Sequence, residues 1–296
     1  FGLFLAPANT YTGQIKIVEI NIPKKLTTAL SSTALITADD IPALLPQRNP
    51  HMHKYQAGKA VVLAGNVGTA GAACLAATAC TRIGAGLVDL FTMHIVYPIL
   101  AAKLTEVLVY PVQESAAEQA LSKFIQSAHT AKALLVGPGL GNNQHTKEFL
   151  RYILQNCSKP LVLDADALSA AFAEPQLVRD YPADIIITPH TGEFSRLINI
   201  NASTIETNKL ELAREFAVNM NVTVVLKGSI TVIATPDGRA HIHNCPMENM
   251  ASAGMGDVLA GIITGLITQG QEVKSACILG TFIHTYTAGF LGKQGL

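Results

Sequence analysis

The chain has 296 residues, 49% of them apolar and 14% charged, and its 21 Lys and Arg balance 21 Asp and Glu to a formal net charge of zero. That composition excludes a disordered chain and provides for a large buried core, in one big α/β domain or two smaller ones. A pI near 7.2 gives no basic footprint for nucleic acid or an anionic membrane surface, which points to a small-molecule partner. From Lys59 onward, short runs rich in Val, Leu and Ile alternate with helical patterns. The runs are KAVVLAG (59–65), GLVDLFT (86–92), ALLVGPG (133–139), PLVLDAD (160–166), DIIITPH (184–190) and VTVVLKG (222–228). Unbroken apolar runs of this kind suit strands covered on both faces. Helical patterns occupy 69–83, 114–128, 144–156 and 204–219, and two long ones follow at 257–269 and 272–290. The alternation predicts a parallel, helix-covered sheet. Between 229 and 244, two β-rich runs flank Pro236-Asp237-Gly238, which predicts an antiparallel hairpin extending that sheet. The apolar run Val258 to Thr268 is shorter than a bilayer span and is interrupted by Gly261 and Gly265, so it reads as a core helix; no membrane segment is evident. Five cysteines, Cys74, Cys80, Cys157, Cys245 and Cys277, contain no C-x-x-C pair and read as reduced, partly buried thiols of a cytoplasmic protein.

Open α/β sheets bind ligands beyond the carboxyl ends of their strands, and five of the six runs end in Gly, Asp or His. Ala64 to Ala73 (AGNVGTAGAA) either admits a phosphate or ribose or forms a tight βα turn; without G-x-G-x-x-G spacing, a Rossmann dinucleotide site is weakly supported. Gly137 to Gly141 (GPGLG) keeps side chains off a strand end or is simply a flexible turn. Asp164 and Asp166 end another strand; paired acids there reach Mg²⁺ through water, although N-capping the helix at Ala167 is the favoured role for Asp166. In Thr188 to Leu197, His190 is placed to hydrogen-bond a substrate or its phosphates, and Glu193 to hold a ribose or order the loop. The structural alternative makes Thr191 a helix cap and Glu193 a first-turn acid, which explains Glu193 better than His190. Lys227 and Gly228 stand at a strand-to-hairpin corner, where either a nucleotide lies across exposed backbone or the lysine is a solvated edge residue. Walker A, G-x-S-x-G and Cys/His metal-ligand patterns are absent.

The most informative stretch is Asn249 to Gly261 (NMASAGMGDVLAG). Ala253, Gly254, Met255 and Gly256 present closely spaced N–H groups at the start of an apolar helix, an arrangement suited to phosphate. Asp257 would repel that phosphate, so it makes more sense as a base aimed at a substrate hydroxyl; the plainer reading is a Gly-rich turn with a first-turn acid.

Taken in order, GKAVVLAGN, AGAACLAATACTRIGAGLV, LLVGPGLG, PLVLDADAL, IITPHTGEFSRL, VVLKGSITVIATPDGR and MASAGMGDVLAGIITGL resemble the ADP/ATP-dependent NAD(P)H-hydrate dehydratases of the ribokinase-like superfamily, from about Gly58 to the end. The resemblance implies a ribokinase-like α/β fold, a central mostly parallel sheet covered by helices on both faces with an antiparallel hairpin extension. It also implies dehydration of (6S)-NADHX or (6S)-NADPHX coupled to hydrolysis of ADP or ATP. By motif, Asp257 would activate the C6 hydroxyl of the hydrate, with Gly254 and Gly256 in the turn that stabilises the transferred phosphate. Ala72, Gly139, His190, Thr191, Gly192, Glu193, Phe194, Ser195, Arg196 and Asp257 would contact the hydrate. Lys227, Gly228, Ser229, Ile230 and Thr231, with Asn249, Ala251, Ser252, Ala253, Gly254, Met255 and Gly256, would bind the nucleotide. Mg²⁺ is expected with the nucleotide, and no protein ligand for it is identified. The chain departs from the family pattern at Ala70 and Thr191, where proline is usual, and at Ser252-Ala253-Gly254, where Thr-Gly-Gly is usual. Ala253 is tolerable in the anion hole if its φ is negative.

Phe1 to Lys25 resembles the last turn and strand of the NAD(P)H-hydrate epimerase domain, fused ahead of this dehydratase in many bacteria. The expected division is a tail over 1–30 and a dehydratase domain over 31–296, with Leu26 to Arg48 as the connection. The closing LGKQGL stops short of the final helix the family leads one to expect. A homo-oligomer, such as a tetramer, is expected from the low charge content. Two rival readings stay open: a vitamin-precursor kinase of the same superfamily, using the same Asp257, and a non-catalytic adenine-nucleotide sensor.

Overall fold

The computed structural model describes residues 2–13, 15–16, 18, 20–23, 25–26, 31–113, 117–244, 250–292 and 294. Ten strands form one sheet: β1 (Thr33–Leu35), β2 (Lys59–Leu63), β3 (Leu87–Met93), β4 (Leu108–Val112), β5 (Ala133–Val136), β6 (Leu161–Leu163), β7 (Ile185–Ile187), β8 (Thr223–Leu226), β9 (Ile230–Ala234) and β10 (Ala240–Asn244). Their order is β1-β10-β9-β8-β7-β6-β5-β2-β3-β4. Neighbours are parallel except that β9 runs antiparallel to both β8 and β10. Every residue of β5, β6, β7 and β8 is buried. Because successive side chains point to opposite faces, both faces of the central sheet are covered.

Among the helices are α1 (Ala70–Ile83), α2 (Tyr97–Lys103), α3 (Ala117–Thr130), α4 (Gln144–Asn156), α5 (Asp166–Ala171), α6 (Pro175–Arg179), α7 (Thr191–Ile198), α8 (Ala202–Thr207), α9 (Lys209–Met220), α10 (Met255–Thr268) and α11 (Val273–Gly292). Helix α10 is apolar nearly all round and is buried from Leu259 to Thr268, as befits a helix enclosed within the core. Its two polar residues there are satisfied within the helix, Thr264 donating to the Ala260 carbonyl at 2.7 Å and Thr268 to the Thr264 carbonyl at 2.8 Å. It packs along α1, and the glycines that interrupt its sequence are what allow the approach: a Cβ at Gly261 would collide with the Ala76 carbonyl, and one at Gly265 with Ile83.

The expected hairpin is present, closed by Gly238 at φ +78 and by Asp237, whose carboxylate accepts the Arg239 N–H at 3.1 Å. Leu26–Arg48, expected as a connection, is built into the fold from Thr33 onward. Strand β1 extends the sheet beside β10, and Arg214 donates to the Thr33 hydroxyl at 2.5 Å. Cys74, Cys80, Cys157 and Cys277 are free thiols, and burial pushes Cys157 up to about 11 and Cys80 to about 12; Cys245 lies outside the described residues. No helix among the described residues is long and apolar enough to cross a membrane.

Candidate active site

The sheet order reverses between β2 and β5, and the loops leaving these strands meet there. Gly139 adopts φ +57, and a Cβ on it would lie 2.7 Å from the Thr69 Cβ and 2.9 Å from that of Ala72. Thr69 donates to the Gly139 carbonyl at 2.6 Å, and the Asn66 amide to the Leu140 carbonyl at 2.9 Å. The two glycine loops therefore buttress each other, which brings Ala72 and Gly139, both expected to face the hydrate, side by side. One turn along α1, Leu75 reaches the opposite wall, since a Cβ at Gly254 would collide with its side chain.

Gly254 is the N-cap of α10 at φ +89, and no side chain caps this end. The first-turn N–H groups of Met255, Gly256 and Asp257 lack intrahelical acceptors, which leaves a set of donors for an anion. The left-handed position falls on Gly254, and Ala253 does not have a positive φ, so its methyl group is compatible with the turn. Ala251, Ser252 and Ala253 are exposed on the approach; Asn249, expected in the nucleotide site, lies outside the described residues.

Beside this turn stands a cluster of charged groups from the ends of β6, β7 and β8. Asp164, 1% exposed, accepts from Lys227 Nζ at 2.9 Å and from the Thr188 hydroxyl at 2.7 Å. Lys227 Nζ is 4.0 Å from Glu193, and a Cβ at Gly256 would stand 3.0 Å from it. Lys227, one residue past the end of β8 and with its side chain 18% exposed, is thus a paired, largely enclosed cation, which rules out the solvated edge lysine. Burial opposes its charge, yet Asp164, Glu193 and Asp257 together raise its pKa above the ordinary lysine value. For Asp257 the balance goes the other way. Burial, with repulsion from Asp164, Glu193 and Asp166, outweighs the pull of Lys227 and raises its carboxyl from 3.8 to about 6. A carboxylate poised near neutrality and half-buried beside an anion-binding turn is equipped to act as a general base.

His190, rather than Thr191, caps α7. Its Nδ1 accepts from the Gly192 N–H at 2.9 Å and the Glu193 N–H at 3.3 Å, while Glu193 accepts from the His190 N–H at 2.8 Å. This reciprocal box uses Nδ1 as an acceptor, which leaves Nε2 as the ring's donor position, 3.6 Å from Glu193 Oε1. Asp166 is the first residue of α5 and not its cap; its carboxylate accepts the Gly141 N–H at 2.8 Å. The actual N-cap, Ala165, is held at φ +49, a strained value for a residue with a Cβ. A cavity of about 350 Å³ opens here, its polar walls formed by Asn142, Asp166, Ser169, Glu193 and Arg196.

Several anticipated contacts are redirected. Phe194 is fully buried and packs edge-on against Phe216, with ring centroids 5.3 Å apart, so it belongs to the core. The Ser195 hydroxyl is committed to the Ile200 carbonyl at 2.6 Å. Ile230 and Thr231 bury their side chains in β9, leaving Gly228 and Ser229 as the open part of that loop. Residues outside the anticipated set also shape the site. Asp164, weighed only as a cation ligand, is the anchor of Lys227. Lys209, 3% exposed, donates to the Lys227 carbonyl at 3.1 Å. His284, buried on α11, has its pKa pushed down to about 4 by burial and the Lys227 charge, which the nearby Met255 backbone opposes. Nothing in sequence spacing marks Lys209 or His284, because their role depends on which elements the topology brings together.

Among the described residues no group of three His, Cys, Asp or Glu side chains is arranged to hold a metal ion. The donor set still fits Mg²⁺ arriving with phosphates, which takes one or two carboxylates and keeps several waters. Asp164 offers Oδ2 toward the turn, 4.0 Å from where a Gly256 Cβ would be.

The family model for NAD(P)H-hydrate dehydratase matches residues 60–294. A bifunctional NAD(P)H-hydrate repair enzyme of Moorella thermoacetica is 36% identical over 288 residues, 96% of this chain and 54% of its own length, so the chain spans about half of that relative. The crystal structure of the ADP/ATP-dependent NAD(P)H-hydrate dehydratase from Bacillus subtilis, co-crystallized with ATP/Mg²⁺, aligns with a TM-score of 0.76 at 29% identity, over 88% of this chain and 90% of that one. A ribokinase-like superfamily protein from Enterococcus faecalis shares the fold at a TM-score of 0.79 and 24% identity, over 89% and 90% of the two chains. The expected ribokinase-like architecture is thereby met.

Proposed function

The chain belongs to the NAD(P)H-hydrate dehydratase family, and from that membership we propose that it returns (6S)-NADHX or (6S)-NADPHX to the reduced dinucleotide at the expense of ADP or ATP. The observation that carries this reading is Asp257, raised to about 6 beside the open first turn of α10. At neutral pH its carboxylate takes the proton of the C6 hydroxyl as that oxygen attacks the terminal phosphorus of the nucleotide and the bond to the bridging oxygen breaks. First-turn N–H groups and the Lys227 ammonium stabilise the charge that develops on the phosphoryl oxygens. The C6–O bond then breaks, assisted by the ring nitrogen lone pair, and phosphate departs with the former hydroxyl oxygen. Loss of a C5 proton restores the ring double bond. Asp164 and Glu193 would hold Mg²⁺ through water, and when bound it offsets phosphate charge.

On this reading the glycine loops at Ala72 and Gly139, the Nε2–H of His190 and the cavity beside Arg196 serve the hydrate, while Lys227 to Ser229 and Ala251 to Gly256 serve the nucleotide. The proposal extends to a homo-oligomer, a cytoplasmic setting and an epimerase domain ahead of this one, the last supported by the 54% share of the bifunctional relative. The test is incubation with (6S)-NADHX, Mg²⁺ and ADP or ATP. Absorbance of reduced nicotinamide should return with one phosphate released per molecule restored, and Asp257→Asn should abolish both. Nucleotide binding without restoration would overturn the reading.

A further inference from the structure

A line of polar contacts runs behind the site, from the hydrate side to the nucleotide side. The Thr191 hydroxyl, in the first turn of α7, donates to Glu206 Oε1 at the end of α8. The other oxygen of Glu206 is 3.7 Å from Lys209 Nζ. Lys209 opens α9 and is 3% exposed, and its ammonium donates to the backbone carbonyl of Lys227 at 3.1 Å. A Cβ at Gly228 would stand 2.4 Å from that ammonium, so glycine there leaves Lys209 room to reach the strand end. A buried ammonium is costly unless it is paired and hydrogen-bonded. Burial lowers the Lys209 pKa, and Glu206 counteracts this. Its stem crosses the core only to hold one carbonyl and meet one half-exposed carboxylate, and nothing in the fold of α9 requires a lysine at its start. The hydroxyl at 191 completes the connection to Glu206.

We propose that Thr191, Glu206 and Lys209 form a strap that sets the spacing between the hydrate-side helix α7 and the nucleotide-side backbone at Lys227–Gly228, with Lys209 a positioning residue acting through the Lys227 carbonyl. The assignment of the two sides rests on the function proposed above; the strap itself rests on the contacts. The strap makes nucleotide affinity depend on a hydroxyl on the opposite wall of the site.

The test is calorimetric titration of ADP with Mg²⁺ into wild type, Thr191→Val, Glu206→Gln, Lys209→Met and the Thr191→Val/Lys209→Met double variant, each checked for fold by circular dichroism. Removing a buried charge-assisted hydrogen bond predicts a Kd raised about tenfold in Lys209→Met. Thr191→Val, neutral and remote from the nucleotide loop, should raise it about threefold. The double variant should be no weaker than Lys209→Met alone, because both changes cut one path. Thr191→Ser, which keeps the hydroxyl, should restore the wild-type value. Should Lys209→Met fail to fold, Thr191→Val, Thr191→Ser and Glu206→Gln still decide the matter. Wild-type affinity in Thr191→Val, or additive losses in the double variant, overturns the strap. These readouts need no turnover, so failure of wild type to restore NADH would count against the proposed function and leave the strap to be judged on affinity.

Discussion

Replacing Asp257 by Asn should abolish turnover and at the same time stabilise the protein, in a manner that depends on pH. The carboxyl is raised from 3.8 to about 6, with burial the largest cause and Asp164, Glu193 and Asp166 adding repulsion against the pull of Lys227. At about 1.36 kcal/mol per pH unit, that rise corresponds to roughly 3 kcal/mol of disfavoured ionisation in the folded state. Asp257 is only partly buried, and solvent screening reduces the figure to about 1–2 kcal/mol. The folded protein holds this proton more tightly than the unfolded chain does. Stability from protonated Asp257 is therefore fully present below the unfolded value of 3.8 and lost as pH rises through about 6. Asn never ionises and never incurs the loss. In thermal unfolding followed by circular dichroism, the Asn variant should melt with wild type near pH 4, gain through pH 4 to 6, and sit roughly 2–6 °C higher at pH 8. A variant no more stable than wild type at pH 8, or an advantage that persists unchanged at pH 4, would refute the argument that Asp257 is held ionised against its surroundings.

Other consequences follow from the same geometry. The pH profile of kcat/KM should fall on its acid side with a midpoint about 6, and Lys227→Met should move that midpoint upward, because Lys227 is the group that lowers the Asp257 value. The same substitution strips Asp164, 1% exposed, of its counter-ion and should cost about 3–5 kcal/mol, read by urea unfolding. His190→Ala should lose about 1 kcal/mol of cap and weaken hydrate binding, whereas His190→Asn should keep the cap and still raise the hydrate KM, separating Nδ1 from Nε2. Gly261→Ala drives a methyl group into the Ala76 carbonyl and should cost about 1–3 kcal/mol; wild-type stability there would show that α1 and α10 slide apart freely.

The parts of this molecule written locally in its sequence are those where one physical demand dominates. Strands β2, β5, β6, β7 and β8 read directly because burial on both faces demands continuous apolar runs. Strand β4 escaped notice because Pro111 interrupts LVYPV; as the last strand of the sheet it has one unpaired edge, where a missing N–H is tolerated. Strand β1 is three residues long and owes its existence to pairing with β10, a contact more than 200 residues away. At the site, the glycine turn and Asp257 were visible because phosphate binding imposes a local backbone pattern. His190 as a cap was harder to read, since Thr191 is the better intrinsic capping residue and only the Glu193 box selects its neighbour. The Asp164–Lys227 pair and Lys209 depend on strand order alone, so their meaning appears only when β6, β7 and β8 lie side by side.

The central claim is that the C6 oxygen of the hydrate is phosphorylated before it leaves. It is tested most directly with (6S)-NADHX carrying ¹⁸O in the C6 hydroxyl, Mg²⁺ and ADP or ATP, by analysing the released phosphate by mass spectrometry. The account predicts one ¹⁸O in each phosphate, with none in the water. Unlabelled phosphate alongside restored NADH would contradict it, showing that hydroxide departs directly and that the nucleotide is hydrolysed by water.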